Sequence, residues 1–424
     1  MTAEEVREAS APGPTRVRRF LGGRAALWIA FLVVHAGLVV LNLYGQGWPL
    51  GDVVAVYRVW AENAADGYVR MGIDVPWVYP ILAFGPMAAA LAFGSAWYGQ
   101  TWLAIVVVLN AGAFAILLGT RRLSRTRRIA AWWWLAFLAL LGPIALGRID
   151  AVTVPLAITG MLWAATRPRL AAVLLTVGMW VKVWPAAVLA ALVVASRKRW
   201  EVVTVAVALS AGIVGVSLLA GAGINAVGFV AEQAGRGLQI EAPLAVVWLW
   251  RIVAGDRAVE VVYNREILTF QISGPGAEAA ASVTTPLMAI GVVAVLLLGI
   301  RAVRRGAAFG RLFPPLALSF IVVLMLANKV GSPQFVTWLA APIVLGLVLS
   351  PRRFLVPAAL AAAIALLTQV IYPYWYGWLM AATPGFVLVL TVKIALLAVL
   401  LVWGIRALWQ AGRARDRVEV TADA

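Results

Sequence analysis

Cysteine is absent from the 424 residues, and histidine occurs once, at His35. The first absence excludes disulfides, thiolate metal sites and a cysteine nucleophile. The second leaves no histidine pair for a metal cage and argues against a serine–histidine relay. Charge is scarce too: Asp, Glu, Lys and Arg make up 12% of the chain, against about a quarter in soluble domains. Acidic residues are the scarcer sign, 18 against 35 basic, for a formal net charge of +17. What fills the space is apolar, 63% hydrophobic with a mean hydropathy of +0.93. This composition excludes a soluble enzyme and implies many runs each able to cross ~30 Å of hydrocarbon.

The runs fall at 26–44, 98–119, 130–146, 150–166, 170–196, 201–221, 284–300, 312–327, 334–350, 354–371 and 384–405. Two further stretches, 76–93 and 243–254, are shorter or broken by Gly and Pro, which suits interfacial or re-entrant segments. Basic residues set orientation. Seven clusters, in the N-terminal tail and at 121–128, 167–169, 197–199, 301–311, 352–353 and 406–417, hold 25 of the 35 basic residues. All seven share one face if 76–93 lies on the membrane and 170–196 goes out and returns. That return requires two half-length helices breaking near Lys182-Val183-Trp184-Pro185, with the proline opening the second. The expected architecture is an all-α polytopic membrane protein with about 12 transmembrane helices and both termini cytoplasmic. Residues 1–25 form a cytoplasmic tail, partly disordered and without a cleavable signal. One transmembrane domain spans 26–408, with outer loops 45–97 and 222–283, and 409–424 form a second tail. The positive charge is topology and needs no nucleic-acid partner.

Ionisable residues in or beside a membrane are costly and mark candidate sites. Here they gather on the outer face, where topology gives no reason for them: Asp52 after the first helix, Arg148 and Asp150 in a short turn, and Lys182 at the helix break. Arg236 and Glu241 follow in the second loop, and Lys329 in the turn 328–334. Asp52 precedes an amphipathic stretch (Val53, Val56, Tyr57, Val59, Trp60), so it reads as a helix cap or as a carboxylate that accepts a proton. Lys182, Lys329, Arg148 and Arg236 read either as snorkelling cations or as ligands of a lipid phosphate. Lys393 lies within the last helix, suited to a pairing inside the bundle, and His35 reads as a packed polar residue. Outer aromatics (Tyr44, Trp48, Trp77, Tyr79, Trp97 and Tyr98, then Tyr372 to Trp378) fit an interfacial belt or a surface for sugar rings and a polyprenyl chain. Asp52, Asp66 and Asp74 are the acids of the first loop that a divalent cation would need, but no Asp-x-Asp pair occurs there. No cofactor is expected.

Several segments carry a resemblance in this order: Asp52; Val78-Tyr79-Pro80-Ile81-Leu82 with Gly85-Pro86; Gly147-Arg148-Ile149-Asp150; Val181-Lys182-Val183-Trp184-Pro185; Arg236-Gly237-Leu238-Gln239-Ile240-Glu241; and Asn328-Lys329-Val330-Gly331-Ser332-Pro333-Gln334. Together they resemble the lipid-phosphate-sugar-dependent glycosyltransferases of the GT-C fold. Within that fold they are most similar to glycosyltransferase family 87, the polyprenol-phosphate-mannose-dependent α-(1→2)-mannosyltransferases of actinobacteria. The chain departs from that pattern at Ile81, where a second proline is usual, and at Arg148, where Asn or Gln is usual. The resemblance implies juxtamembrane helices in the first outer loop and an active site on the extracytoplasmic side of the cell membrane. It implies inverting transfer of mannose from polyprenyl phosphate to a glycolipid or lipoglycan acceptor, such as a phosphatidylinositol mannoside. Asp52 would be the general base, Lys182, Lys329, Arg236 and Arg148 the donor-phosphate ligands, and Tyr79, Asp150, Trp184, Gln239, Glu241 and Gln334 substrate contacts. The alternatives are the same fold with arabinofuranose or glucose on the polyprenyl phosphate, a lipid or sugar transporter, and a non-catalytic envelope scaffold.

Overall fold

The computed structural model describes residues 23–234, 236–265 and 268–413. The tail expectations for 1–22 and 414–424 therefore fall outside the described residues. Helix α1 (Arg24–Tyr44) leads into the first long connection. This holds a π-helical turn (Val53–Tyr57), α2 (Arg58–Ala65), a 3-10 turn (Ile81–Ala83) and α3 (Phe84–Ala89). Six helices follow: α4 (Tyr98–Leu118), α5 (Arg125–Leu141), α6 (Asp150–Trp163), α7 (Pro168–Val181), α8 (Pro185–Ala195) and α9 (Arg199–Leu219). The second connection holds α10 (Phe229–Ala234), α11 (Ala245–Val253) and a hairpin of β1 (Glu260–Asn264) and β2 (Thr269–Ser273). The chain continues through α12 (Ala277–Arg304), α13 (Phe309–Leu326), a 3-10 segment (Pro333–Leu339), α14 (Ala340–Leu349) and α15 (Pro351–Ile371). A short α16 (Tyr376–Met380) and the long α17 (Pro384–Ala411) complete the described chain.

Among the described helices, eight (α1, α4, α5, α9, α12, α13, α15 and α17) are long and apolar enough to cross a membrane by length and composition. The protein is an all-α polytopic membrane protein with little sheet. α6, α7, α8 and the 333–349 segment are apolar but shorter. The core is built by α13, α6 and α14, whose side chains are buried on nearly every face. α9 and α12 instead keep Val207, Val216, Leu219, Ile290, Val293 and Leu297 exposed. Helices that are apolar all round suit either a core or a lipid-facing shell, and both kinds are present.

Local chemistry explains the boundaries that matter for the site. α7 and α8 form the expected broken pair. Lys182 turns to extended backbone (φ −151°, ψ 134°), and Pro185 opens α8, where its missing N–H costs nothing. The run expected at 284–300 is longer, Ala277–Arg304, because Ala277, Ala279, Ala280 and Ala281 extend the helix beyond the apolar core of the run. The run expected at 334–350 is half 3-10, with Pro333 at its start. The hairpin is a departure from the purely helical expectation. Val261, Val262, Tyr263, Phe270 and Ile272 are β-favouring, and Tyr263 pairs with Phe270 across the strands.

Candidate functional site

The first part of the site is a pinned carboxylate. Asp52 does not cap a helix: its backbone is helical (φ −61°, ψ −36°) and its side chain makes no capping hydrogen bond. Its Oδ2 instead lies 2.9 Å from Nε of Arg148, with the Asp52 side chain 47% exposed and the Arg148 side chain 7% exposed. Arg148 also donates to the carbonyls of Pro49 (2.7 Å) and Gly147 (2.7 Å) and to the Tyr372 hydroxyl (2.6 Å). The guanidinium fork thus joins the start of the connection after α1, the turn before α6 and the end of α15. Gly147 makes the approach possible, since a Cβ there would lie 2.8 Å from Asn42 Oδ1 and 3.0 Å from the Pro49 carbonyl. Burial works against the charge on Arg148, but the Asp52 carboxylate and the surrounding tyrosines outweigh it and move its pKa up. Burial likewise pushes the Tyr372 phenol up, against the pull of Arg148.

The second part is a group of cations around Tyr79. Tyr57 and Tyr79 bring their hydroxyls to 3.4 Å, and burial, with Tyr79 and Asp52 nearby, holds the Tyr57 phenol well above its usual range. Trp60 and Trp77 pack edge-on to the Tyr79 ring. Nζ of Lys182 stands 4.4 Å above the same ring, a cation–π contact made available by the break between α7 and α8. Arg236 lies within electrostatic reach of Tyr79 and of Glu232, and burial lowers its pKa. Its Nε is buried with no hydrogen-bond partner among the described residues. Lys329 is lowered by burial and by repulsion from Arg236. Lys182 and Arg236 come from distant stretches of sequence to the neighbourhood of Tyr79, and Lys329 joins them through its proximity to Arg236. A cluster of this sign, with one orphaned guanidinium nitrogen, is chemically suited to an anion.

Arg148 therefore parts company with the other three basic candidates: its donors are committed to Asp52, two carbonyls and Tyr372. Other expected contacts are largely enclosed by protein partners. Asp150 is fully buried, with Oδ1 accepting from Trp338 Nε1 at 2.7 Å. Trp184 is 2% exposed, donates to Thr153 at 2.8 Å and stacks on Trp338. Glu241 is buried in an ion pair with Lys393 at 3.0 Å, the pairing within the bundle that the position of Lys393 suggests. Gln239 accepts from the Gly331 N–H at 2.8 Å and donates to Thr269 at 3.0 Å, fastening the 328–334 turn to the hairpin. Gln334 is buried too. Asp150, Trp184, Glu241 and Gln334 are thus buried and frame the site, while Gln239 stays partly exposed. Gly331 belongs to the same frame, as a Cβ there would overlap the Glu241 carbonyl.

Asp52, Asp66 and Asp74 do not gather among the described residues: Arg148 takes Asp52, and Arg70 takes Asp74 at 2.8 Å. The aromatics divide. Tyr44, Trp48, Trp97, Trp375 and Trp378 are exposed, as belt residues would be, whereas Trp77 and Tyr98 are buried. His35 is buried against Phe31 and Asn110. Two members of the site were missed as site residues: Tyr57, legible only as an apolar helical position, and Tyr372, indistinguishable in sequence from its belt neighbours.

No curated protein and no solved structure matches the chain. Residues 77–231 match the family model of glycosyltransferase family 87. That stretch contains Tyr79, Arg148, Asp150, Lys182 and Trp184, and excludes Asp52, Arg236 and Lys329. The match supports the family and indicates a glycosyltransferase, here carried on membrane helices.

Proposed function

We propose that this glycosyltransferase moves mannose from polyprenyl phosphate to a glycolipid or lipoglycan, with inversion, at the extracytoplasmic face of the cell membrane. The observation that carries the reading is the adjacency of two unlike groups. A half-exposed carboxylate is held by Arg148, and beside it, through Tyr57 and Tyr79, stand Lys182 and Arg236, with Lys329 next to Arg236, three cations suited to a phosphate. Asp52 accepts the proton of an acceptor hydroxyl as that oxygen forms its bond to the anomeric carbon. The bond from that carbon to the phosphate oxygen breaks, and its electron pair stays on the phosphate. Lys182, Arg236 and Lys329 stabilise the charge that develops there. Arg148 and Tyr372 act as positioning residues for Asp52. No step requires a cofactor.

Mannose is favoured over arabinofuranose or glucose by the family resemblance. A transporter reading is less apt, because transporter sites lie near the bilayer midplane. Asp52 and Tyr372 instead lie beyond the ends of α1 and α15. The test uses membranes containing the protein, a native-host lipid extract and polyprenyl phosphate labelled in its mannose, glucose or arabinofuranose. Label in a new glycolipid from the mannose donor alone is the expected result. Transfer from another donor would replace the sugar, and label crossing sealed vesicles without transfer would replace the reading with transport.

A further inference from the structure

The opposite end of the bundle carries a second basic site that the transfer reaction does not use. α15 runs from Pro351 to Ile371, a helix of about 30 Å, with Tyr372 of the candidate site just past one end. At its other end, a cavity of about 520 Å³ opens between the starts of α13 and α15 and the end of α17. Arg311, Arg352, Arg353, Ser350 and Gln410 line it. None of the stretches 301–311, 350–353 and 405–413 contains an acidic residue. Among the described residues, none of these arginines forms an ion pair.

Charge that only sets topology projects into water, but part of this cluster turns inward. Arg353 donates to the Ala407 carbonyl at 2.8 Å and to the Arg311 carbonyl at 3.2 Å, which fixes the cavity wall. On the other flank of the α17 end, the Arg301 guanidinium lies 3.7 Å from the centre of the Trp409 ring, and its Nη1 is buried with no hydrogen-bond partner among the described residues. From the rim, Leu355 and Val356 on α15 and Val402 and Trp409 on α17 expose apolar side chains along helices long enough to span a bilayer. A ligand that matches both features has an anionic phosphate head and apolar tails.

We propose that this cavity binds the phosphodiester headgroup of an anionic phospholipid, with its acyl chains along α15 and α17. Basic pockets between membrane helices recognise such headgroups, each nearby cation contributing severalfold to affinity. The site is independent of the transferase reading.

The test uses the full chain purified in a zwitterionic detergent, with native mass spectrometry of retained cardiolipin against phosphatidylcholine. Arg311→Gln and Arg352→Gln are combined, because both side chains are exposed and neither is the Arg353 that joins helix ends. The wild type is expected to retain cardiolipin selectively, with affinity falling roughly 30-fold in the double variant. Thermal stability without lipid should be unchanged, showing that the variant folds. Arg121→Gln with Arg122→Gln removes equal charge elsewhere and should leave retention intact. Equal loss in that control would reduce the effect to general surface charge and overturn the proposal. So would undiminished retention in the Arg311/Arg352 variant. Full displacement of cardiolipin by millimolar inorganic phosphate would assign the cavity to a free anion instead and also overturn it.

Discussion

Arg148 separates two accounts of the site, and Arg148→Lys is the substitution that tells them apart. If Arg148 positions Asp52, its loss is felt in the reaction step; if it binds donor phosphate, its loss is felt in donor affinity. The native fork makes four contacts, to Asp52, Pro49, Gly147 and Tyr372, all between 2.6 and 2.9 Å. A lysine keeps the charge but has three donors and no fork, so it cannot meet all four partners from one position. One buried carbonyl left without a donor costs about 1–3 kcal/mol, which should lower the thermal midpoint without unfolding the protein. Asp52 is 47% exposed, so water replaces part of what it loses and the stability cost from that partner is small. The catalytic cost is larger, because displacing a reacting group by about 1 Å lowers rate on the order of 100-fold. The expected outcome is therefore kcat reduced by about 100-fold with the donor KM within about threefold of wild type. Tyr372→Phe, which removes one contact at 2.6 Å, should lower kcat by about fivefold in the same direction. The assay is initial-rate transfer of labelled mannose over a donor concentration series. A tenfold rise in donor KM with kcat unchanged would refute the positioning role and return Arg148 to the phosphate.

Three other outcomes follow from the same geometry. Lys182→Ala, Arg236→Ala and Lys329→Ala should each raise the donor KM by about tenfold, as expected for loss of one charge-assisted contact, measured by the same series. Lys329 has a lowered pKa, so its charge is present at low pH and is lost as pH rises, earlier than for an ordinary lysine. Donor affinity should fall on the alkaline side, and Lys329→Arg should carry the alkaline limb to higher pH; an unmoved limb would assign it to another group. Glu241 and Lys393 form a buried pair at 3.0 Å, so Glu241→Leu alone should destabilise by about 3–5 kcal/mol by leaving the ammonium unpaired. Joined with Lys393→Met it should recover most of that in thermal denaturation, and additive losses would show that the two are not coupled.

The helices were legible because bilayer thickness imposes a length on each apolar run, and the basic clusters fix the order in which runs reverse. The break at Lys182 was legible for the same reason: 27 residues between two basic clusters cannot form two full crossings. The hairpin was not, since a short strand pair inside a connection is constrained by no such length. At the site, sequence singles out Lys182, Arg236 and Lys329 because charge in outer turns has no topological cause, and the proposed phosphate role for them rests on that placement. Arg148 shares that placement, but its donors meet Asp52, two carbonyls and Tyr372. The partner of Arg148 depends on Gly147 and Pro49 bringing the α1 connection against the α6 turn, a long-range approach that spacing does not encode. The partners of Glu241 and Trp184 are hidden for a similar reason: a polar residue near a membrane surface looks alike in sequence whether its partner is a sugar or Lys393.

The central claim is that the Asp52 carboxylate takes the acceptor proton. Asn at position 52 still accepts a hydrogen bond from Arg148, so Asp52→Asn removes the base while keeping its place. Transfer of labelled mannose from polyprenyl phosphate to native-host lipid by the wild type, with a loss of about 100-fold or more in Asp52→Asn at unchanged donor binding, is the predicted result. Transfer by Asp52→Asn within a few-fold of wild type would contradict it.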